Sequence, residues 1–470
     1  MVHGELKNRG KIVNPIINFL LMGIDFDIVI IGGGGAGMIS ALAASQSGAS
    51  VLLLEKTKEI GGHTLNTQGM FPASYTRFQK ALGIVDSPED MTKDILAENG
   101  NSVPYETVHN LSLNSSIMAE WLTDYCGQEL EVATDFKYHG YTKYRIHSPP
   151  SRTGREIIST LLSKSDNLKN LEIVTEHGVS EIEADKKGNA TGLKISGSGE
   201  KITARAIIIT TGGYGANKEF VEKYMPDAGK MRYFGSSEHR GESLIWGESL
   251  GAHLDYLDSY QAHSAVSSVG TLITWETVMK GAIIVNSEGK RFANEITGYS
   301  KFAKNITQQP GSFAFEIYNS EIHEEVMQRY PEYQETNALN GILKAETIEE
   351  LEKLIGCRKE YLNHTIEEVN IKAANAGSDK FGRSYFVELS PPYYTAKIYP
   401  ALFHTQGGIR VGKDARVLLK NGTESRNIFA AGDAAAGITG PGPDGYVSGT
   451  GLLCAFTYGW LSGKTASKFK

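Results

Sequence analysis

Residues 25–56 read DFDIVIIGGGGAGMISALAASQSGASVLLLEK, and this stretch decides the fold. Ile28 to Ile31 is a continuous apolar run, as in a strand buried on both faces. Gly32, Gly34 and Gly37 follow in the pattern G-x-G-x-x-G. A helix is predicted over Met38 to Gln46, stopping at Gly48, and Val51 to Leu54 is a second strand ending in Glu55. Strand, glycine turn, helix, strand and terminal acid together make the dinucleotide-binding fingerprint. The first glycine permits the tight turn, the second lets backbone approach a pyrophosphate, and the third lets helix pack on strand. The helix N-terminus offers free N–H groups to phosphate, and Glu55 is placed to accept hydrogen bonds from a ribose.

The chain around this stretch has 470 residues, enough for two or three domains and a large core. Hydrophobic residues make up 40% and charged residues 21%, as in an ordinary globular protein. A net charge of −7 argues against nucleic acid as a partner. The three cysteines, Cys126, Cys357 and Cys454, are far apart and form no C-x-x-C pair, so no metal site is read from them. So sparse and odd a count points to a reducing, cytoplasmic setting. No apolar run reaches membrane-spanning length, so no integral membrane segment is expected. The segment IVNPIINFLLMG faintly resembles a signal peptide, but Asn14 and Pro15 interrupt it. Residues 1–24 are therefore read as an N-terminal extension, with Met22 a natural start.

Further along, ARAIIITTGGYGAN is another buried strand that runs into Gly212 and Gly213. RNIFAAGDAAAG, Arg426 to Gly437, repeats that logic, and GTGLLCAFTYGWLSG after it is a helix opening on glycines. Residues 258–395 change character to short, more polar, helical segments. Thr347 and Glu350 there stand at capping-box spacing, with Ile348, Leu351 and Ile355 on one face.

These residues carry a resemblance. From Asp25 onward the chain resembles the flavoprotein superfamily of fumarate reductase, succinate dehydrogenase and 3-ketosteroid dehydrogenase. GGHTLNTQGM resembles the loop that contacts the isoalloxazine, and IIVNSEGKRFANE a strand-turn-strand of the capping domain. NAGSDKFGRS, PPYYTAKIYPALFHTQGGIRV and NIFAAGDAAAG follow in the family's order. The likeness implies an α/β fold: a Rossmann-like FAD-binding domain with an inserted α+β capping domain. The expected division is 25–257 and 396–470 for FAD binding, with 258–395 as the capping, substrate domain.

FAD is the implied cofactor. The likeness adds Gly35, Ala36, Lys56, Gly62, Thr64, Gln68, Gly69, Gly212, Gly213 and Gly432 to the residues expected around it. Asp433 is expected on the ribityl chain, and Gly449, Gly451 and Leu452, with Thr450, at the pyrimidine edge. His63 aligns with the histidine that carries covalent FAD in succinate dehydrogenases. Non-covalent binding is the expectation here, with a link through His63 as the alternative.

The family divides on a few residues. After RF-x-NE, fumarate reductases hold a proton-delivering arginine, whereas this chain has Tyr299. The ketosteroid enzymes resemble it there: their tyrosine takes a proton from the carbon beside a ketone while flavin N5 takes a hydride from the next. That chemistry needs a base and a polarised oxygen, and a phenol of ordinary pKa near ~10 must share its proton to serve. The stretch GITGPGPDGYVSG has Pro443 near the place of the fumarate reductases' second arginine, so a dicarboxylate lacks its main clamp. The same stretch resembles the ketosteroid enzymes' glycine–proline loop. Gly440 stands where they have a tyrosine, and Asp444 where they have glycine, its backbone N–H an expected donor to a carbonyl. His404, in FHTQGG, resembles the fumarate reductase histidine that holds a carboxylate, and His263 falls near a second one.

The expected activity is therefore FAD-dependent desaturation beside a carbonyl of a cyclic or small ketone, or the reverse enone reduction, with Tyr299 moving the proton. The alternative is a reductase or dehydrogenase of an unsaturated carboxylic acid held by His404. A third reading is a non-catalytic binding protein, which the complete glycine turn, Glu55 and Asp433 oppose. No second nucleotide fingerprint and no haem or iron–sulfur motif is read, so an external electron partner of quinone or flavin type is implied.

Overall fold

The apolar run at Phe26–Ile31 lies at the centre of an eight-stranded sheet in the computed structural model, which describes residues 25–375 and 377–469. The extension expected at 1–24 lies outside the described residues. Val51–Leu54 pairs in parallel on one side, Ile28 opposite Val51, and Lys201–Ile209 on the other, Ile28 opposite Ala206. Leu171–Val174 and Glu424–Ala430 extend the parallel sheet outward. Helices pack on one face and the hairpin Val179–Ala184/Ala190–Ile195, with Trp246, on the other, so its central strands are buried on both faces, as their unbroken apolar runs require.

Two of these helices set up the site. Gly35–Gln46 follows the glycine turn, and Thr450–Ala466 comes from the far end of the chain. They cross closely because Gly459 and Gly463 lack side chains. A Cβ at Gly459 would stand 2.7 Å from the Ala36 carbonyl oxygen, and one at Gly463 2.3 Å from that of Ser40. Ser40 and Ser462 seal the crossing with a 3.1 Å hydroxyl pair.

The capping part is built on a six-stranded sheet whose spine is the 13-residue strand Tyr393–Thr405. Tyr260–Ser267 and Ala314–Tyr318 pair with it antiparallel. Arg232–Tyr233 joins it in parallel, so this sheet draws strands from 232 to 405. The spine crosses residue 395 without a break and delivers His404 to the flavoprotein side.

The motifs RFANE and SDKFGRS close on each other. Glu295, wholly buried, accepts from Arg291 at 2.7 Å through both oxygens and lies 3.1 Å from Arg383, which is equally buried. Arg291 also pairs with Asp379 at 2.7 Å, and Glu295 accepts the Ile284 N–H at 3.2 Å. Burial opposes the Glu295 charge, but the two guanidiniums outweigh it and hold the carboxyl below its usual range. Breaking such a buried set would cost about 3–5 kcal/mol. Its position explains its worth: Gly298, at φ +96°, turns the chain from this cluster directly into the helix Tyr299–Thr307.

A second buried acid has no such partner. Glu316, on Ala314–Tyr318, is wholly buried and neither carboxylate oxygen is hydrogen-bonded. Burial pushes its carboxyl up to about 8. The folded state therefore holds a proton there that the unfolded chain releases above its ordinary carboxylate pKa, so folding loses stability as pH rises from about 4.5 to 8. Glu316→Gln is expected to melt near wild type at pH 5 and increasingly above it up to pH 8. A melting-temperature difference that does not change over this range contradicts this.

Candidate active site

One long cavity runs between the two helix N-termini and the capping sheet. At one end lie Gly32, Gly34, Gly35 and Ala36 of the glycine turn. Gly34 caps the first helix without a side-chain hydrogen bond, leaving its N–H groups open to a phosphate. Gly37 does not line the cavity: a Cβ there would stand 1.9 Å from the Gly32 carbonyl oxygen, so it serves the helix–strand approach. Glu55 accepts from the Gly33 N–H at 2.7 Å and from the Thr57 N–H at 2.8 Å, which stiffens the turn. Lys56 lines this end too, bonded to Glu242 at 2.6 Å. His177, Gly178, Ser196 and Trp246 complete it; no motif in the sequence marks them.

In the middle, Gly62, His63, Thr64 and Gln68 face Gly212, Gly432 and Asp433 across the cavity. Gly69 and Gly213 stand behind this wall. A Cβ at Gly213 would meet the Thr405 hydroxyl at 1.9 Å, so that glycine serves packing. His404 is tied on both sides: Nδ1 lies 3.0 Å from Asp433 Oδ1 and from Gln406 Nε2, and Nε2 lies 2.5 Å from Gln261 Oε1. Asp433 is held below the usual carboxylate range: burial alone would raise it, but His404, His239 and His63 outweigh that. Burial, with His404 and His239 close by, drives the His63 imidazole down to about 3. Its Nδ1 is buried and has no hydrogen-bond partner.

At the far end, Gly449 starts the helix Thr450–Ala466 at φ +79°, again with no side-chain cap, and Gly451 and Leu452 line the cavity behind it. Tyr299 enters from the capping side. Its ring stacks on His263 with centroids 4.6 Å apart at 26°, and Tyr446 and Trp275 stand 6.0 Å and 6.2 Å away. Burial pushes the Tyr299 phenol up to about 12, against the pull of Ser448, Tyr446 and the Gly449 backbone N–H that its oxygen faces. His263 Nδ1 accepts the Ala265 N–H at 3.1 Å. That bond leaves the ring proton on Nε2, and burial holds the ring neutral, its pKa down at about 3. Phe403, Trp275, Tyr138 and Tyr446 wall this end, aromatic positions that come from four distant segments, only Phe403 lying on a strand.

Two expected residues are placed elsewhere. Gly440 packs against Ser102, where a Cβ would stand 1.9 Å from the hydroxyl, and does not line the cavity. Asp444 also stands outside the lining, over half exposed and paired with Lys304 at 3.3 Å. Among the described residues no helix is long and apolar enough to cross a membrane.

The model of a family described as FAD binding domain matches residues 27–445. The chain belongs to that family. It is 28% identical over 94% of its length to the probable fumarate reductase Ifc3 of Shewanella frigidimarina, covering 74% of that protein. The open conformation of a flavocytochrome c3 fumarate reductase superposes with a TM-score of 0.79 at 27% identity, over 95% of this chain and 79% of that one. A 3-ketosteroid-Δ4-(5α)-dehydrogenase of Rhodococcus jostii, in complex with 4-androstene-3,17-dione, gives 0.74 at 25% identity, over 96% and 98%. The α/β fold with a capping domain, the cofactor class and the enzyme class expected from the sequence all hold: this is an FAD-dependent oxidoreductase that works on a carbon–carbon double bond.

The residues fit FAD. Two uncapped helix N-termini open on one cavity, Glu55 closes its turn, and the orphaned His63 Nδ1 lies in its wall. Gly449 is the most sensitive point, because its φ is positive and a Cβ would meet the Met70 carbonyl oxygen at 2.9 Å. Gly449→Ala is expected to cost about 1–3 kcal/mol of stability and to lower the bound flavin, read as the ratio of absorbance at the flavin band to that at 280 nm. An unchanged ratio and melting temperature would count against this.

Proposed function

We propose that this enzyme reduces the double bond of a cyclic or small enone and, in reverse, desaturates the ketone, with Tyr299 as proton donor or acceptor. The observation that carries this is electrostatic. Around Tyr299 the cavity is lined by aromatic, hydroxyl and amide groups and by the uncharged His263, with no lysine or arginine among the described residues. Lys56, the cation in the lining, stands at the opposite end and is paired with Glu242. Such a wall suits a ketone oxygen better than two carboxylates, whose burial without a cation is costly.

The His263 Nε2–H is the donor that holds and polarises the carbonyl oxygen. FAD, when bound, supplies the hydride acceptor or donor for the carbon once removed. Tyr299 then gives its proton to the carbon beside the carbonyl. The phenolate left behind is stabilised by the Gly449 N–H at the start of a 17-residue helix and by Ser448 and Tyr446. Because burial keeps the phenol protonated at neutral pH, the donor form that enone reduction needs is the resting form. Electrons arrive from an external carrier of quinone or flavin type.

An unsaturated carboxylic acid held by His404 is the second reading, and likeness to fumarate reductases favours it. Against it, both ring nitrogens of His404 already face protein partners.

Tyr299→Phe is expected to bind FAD normally and to lose about 10²–10⁴-fold in rate. The check is anaerobic: dithionite-reduced protein is mixed with a cyclic enone or with fumarate, and the return of flavin absorbance is timed. In wild type, ketone desaturation should gain about tenfold per pH unit below pH 12, while enone reduction stays flat. Recolouring by fumarate alone, or an undiminished Tyr299→Phe, contradicts the proposal.

A further inference from the structure

The strand Tyr260–Ser267 falls out of step with the spine Tyr393–Thr405 on both sides of His263. Gln261 pairs with His404 and Ala262 with Leu402, so Phe403 bulges from the spine. His263 pairs with Ala401 and Val266 with Tyr399, so Ser264 and Ala265 together oppose Pro400, which has no N–H to give the ladder. Bulges of this kind re-aim side chains, and here Phe403 and His263 both line the cavity.

The broken ladder also frees polar groups to bond elsewhere. The Ala262 N–H donates to the Ser300 hydroxyl at 3.0 Å, and the Ser264 hydroxyl donates to the Tyr299 carbonyl oxygen at 2.6 Å. Ala262, Ser264 and Ser300 are all buried. These two bonds leave the strand on either side of His263 and end on neighbouring residues, Tyr299 and Ser300. They run in opposite directions: strand N–H to helix hydroxyl, and strand hydroxyl to helix carbonyl. A slide or rotation of the helix start along the strand therefore lengthens both. The helix Tyr299–Thr307 has no side-chain cap of its own at Gly298, and its other buried residues, Phe302, Ala303 and Ile306, are apolar. Apolar burial is non-directional, so it sets how closely the helix lies and leaves its register to the serines.

We propose that Ser264 and Ser300 are positioning residues that lock Tyr299 and His263 into one reacting unit. This rests on the reading of Tyr299 as proton carrier and His263 as carbonyl donor. Those two groups act on atoms of one substrate that are two bonds apart, the carbonyl oxygen and the carbon beside it. The spacing between them is therefore critical, and a misplacement of about 1 Å is enough to cost about a hundredfold in rate. The stack of the two rings, centroids 4.6 Å apart at 26°, is what the serines hold. Held there, Tyr299 delivers its proton from one side of the substrate plane. Loosened, it lets water deliver a proton from either side.

The test compares FAD-loaded, dithionite-reduced wild type with Ser264→Ala, Ser300→Ala and the double variant. Each is mixed anaerobically with 2-methylcyclohex-2-enone, whose reduction creates a stereocentre at the carbon that takes the proton. Each single variant is expected to reoxidise about tenfold more slowly and the double about a hundredfold, with the half-saturating enone concentration within about twofold of wild type. The excess of one enantiomer of the product ketone should fall in the same order. Ser264→Ala removes a second donor from a carbonyl already inside a helix, so it folds even where Ser300→Ala, which orphans the Ala262 N–H, is unstable. A wild-type rate and enantiomer excess in Ser264→Ala would overturn the proposal. So would a slower rate with undiminished enantiomer excess, the signature of general destabilisation. Crystal structures of the same variants read the effect without turnover: the Tyr299 and His263 rings are expected to part, and an unchanged stack would overturn the proposal. Failure of the Tyr299 reading looks different: the rings part in the variants, yet wild type leaves the enone unreduced or Tyr299→Phe is undiminished.

Discussion

The crossing of two buried helices through Gly459 and Gly463 is the contact on which the site depends. It lets Gly35–Gln46 and Thr450–Ala466, from opposite ends of the chain, open their N-termini on the same cavity. One end offers N–H groups to a diphosphate. The other offers them to whatever negative charge develops beside Tyr299. A side chain at either glycine would drive into the backbone of the first helix. The dinucleotide turn and the Tyr299 end of the cavity are thus held at a fixed separation by the same packing.

The capping part supplies the chemistry that this frame orients. Its spine strand carries Phe403 and His404 to the flavin side, and the Arg291–Glu295–Arg383–Asp379 cluster sets the start of the Tyr299 helix. What arrives is an aromatic, mostly uncharged enclosure. Where a dicarboxylate site would spend arginines, this one holds a neutral imidazole, a protonated phenol and a helix N-terminus.

The glycine turn was legible because what the structure shows of it is local: a tight turn, a close helix–strand approach at Gly37 and an acid, Glu55, that accepts from the turn, within one βαβ unit. Tyr299 and His404 were legible through short motifs adjoining them, and both line the cavity. Gly440 and Asp444 were read by position in a loop, and the loop here packs Gly440 on Ser102 and sends Asp444 out to Lys304. RFANE and SDKFGRS were read only as family motifs in order, and they form a buried ion cluster, since nothing in a linear sequence tells that Arg383 and Arg291 meet at Glu295. Trp275 and Tyr138 carried no pattern at all, because contacts between distant segments assemble them.

The most direct test is a crystal structure of the FAD-loaded protein soaked with a cyclic enone. The account predicts the carbonyl oxygen within hydrogen-bond reach of His263 Nε2 and the carbon beside it about 3–3.5 Å from the Tyr299 hydroxyl, the separation of a reactive pair. An enone lying away from both, or a carboxylate seated on His404 with the Asp433 and Gln261 bonds broken, would contradict it.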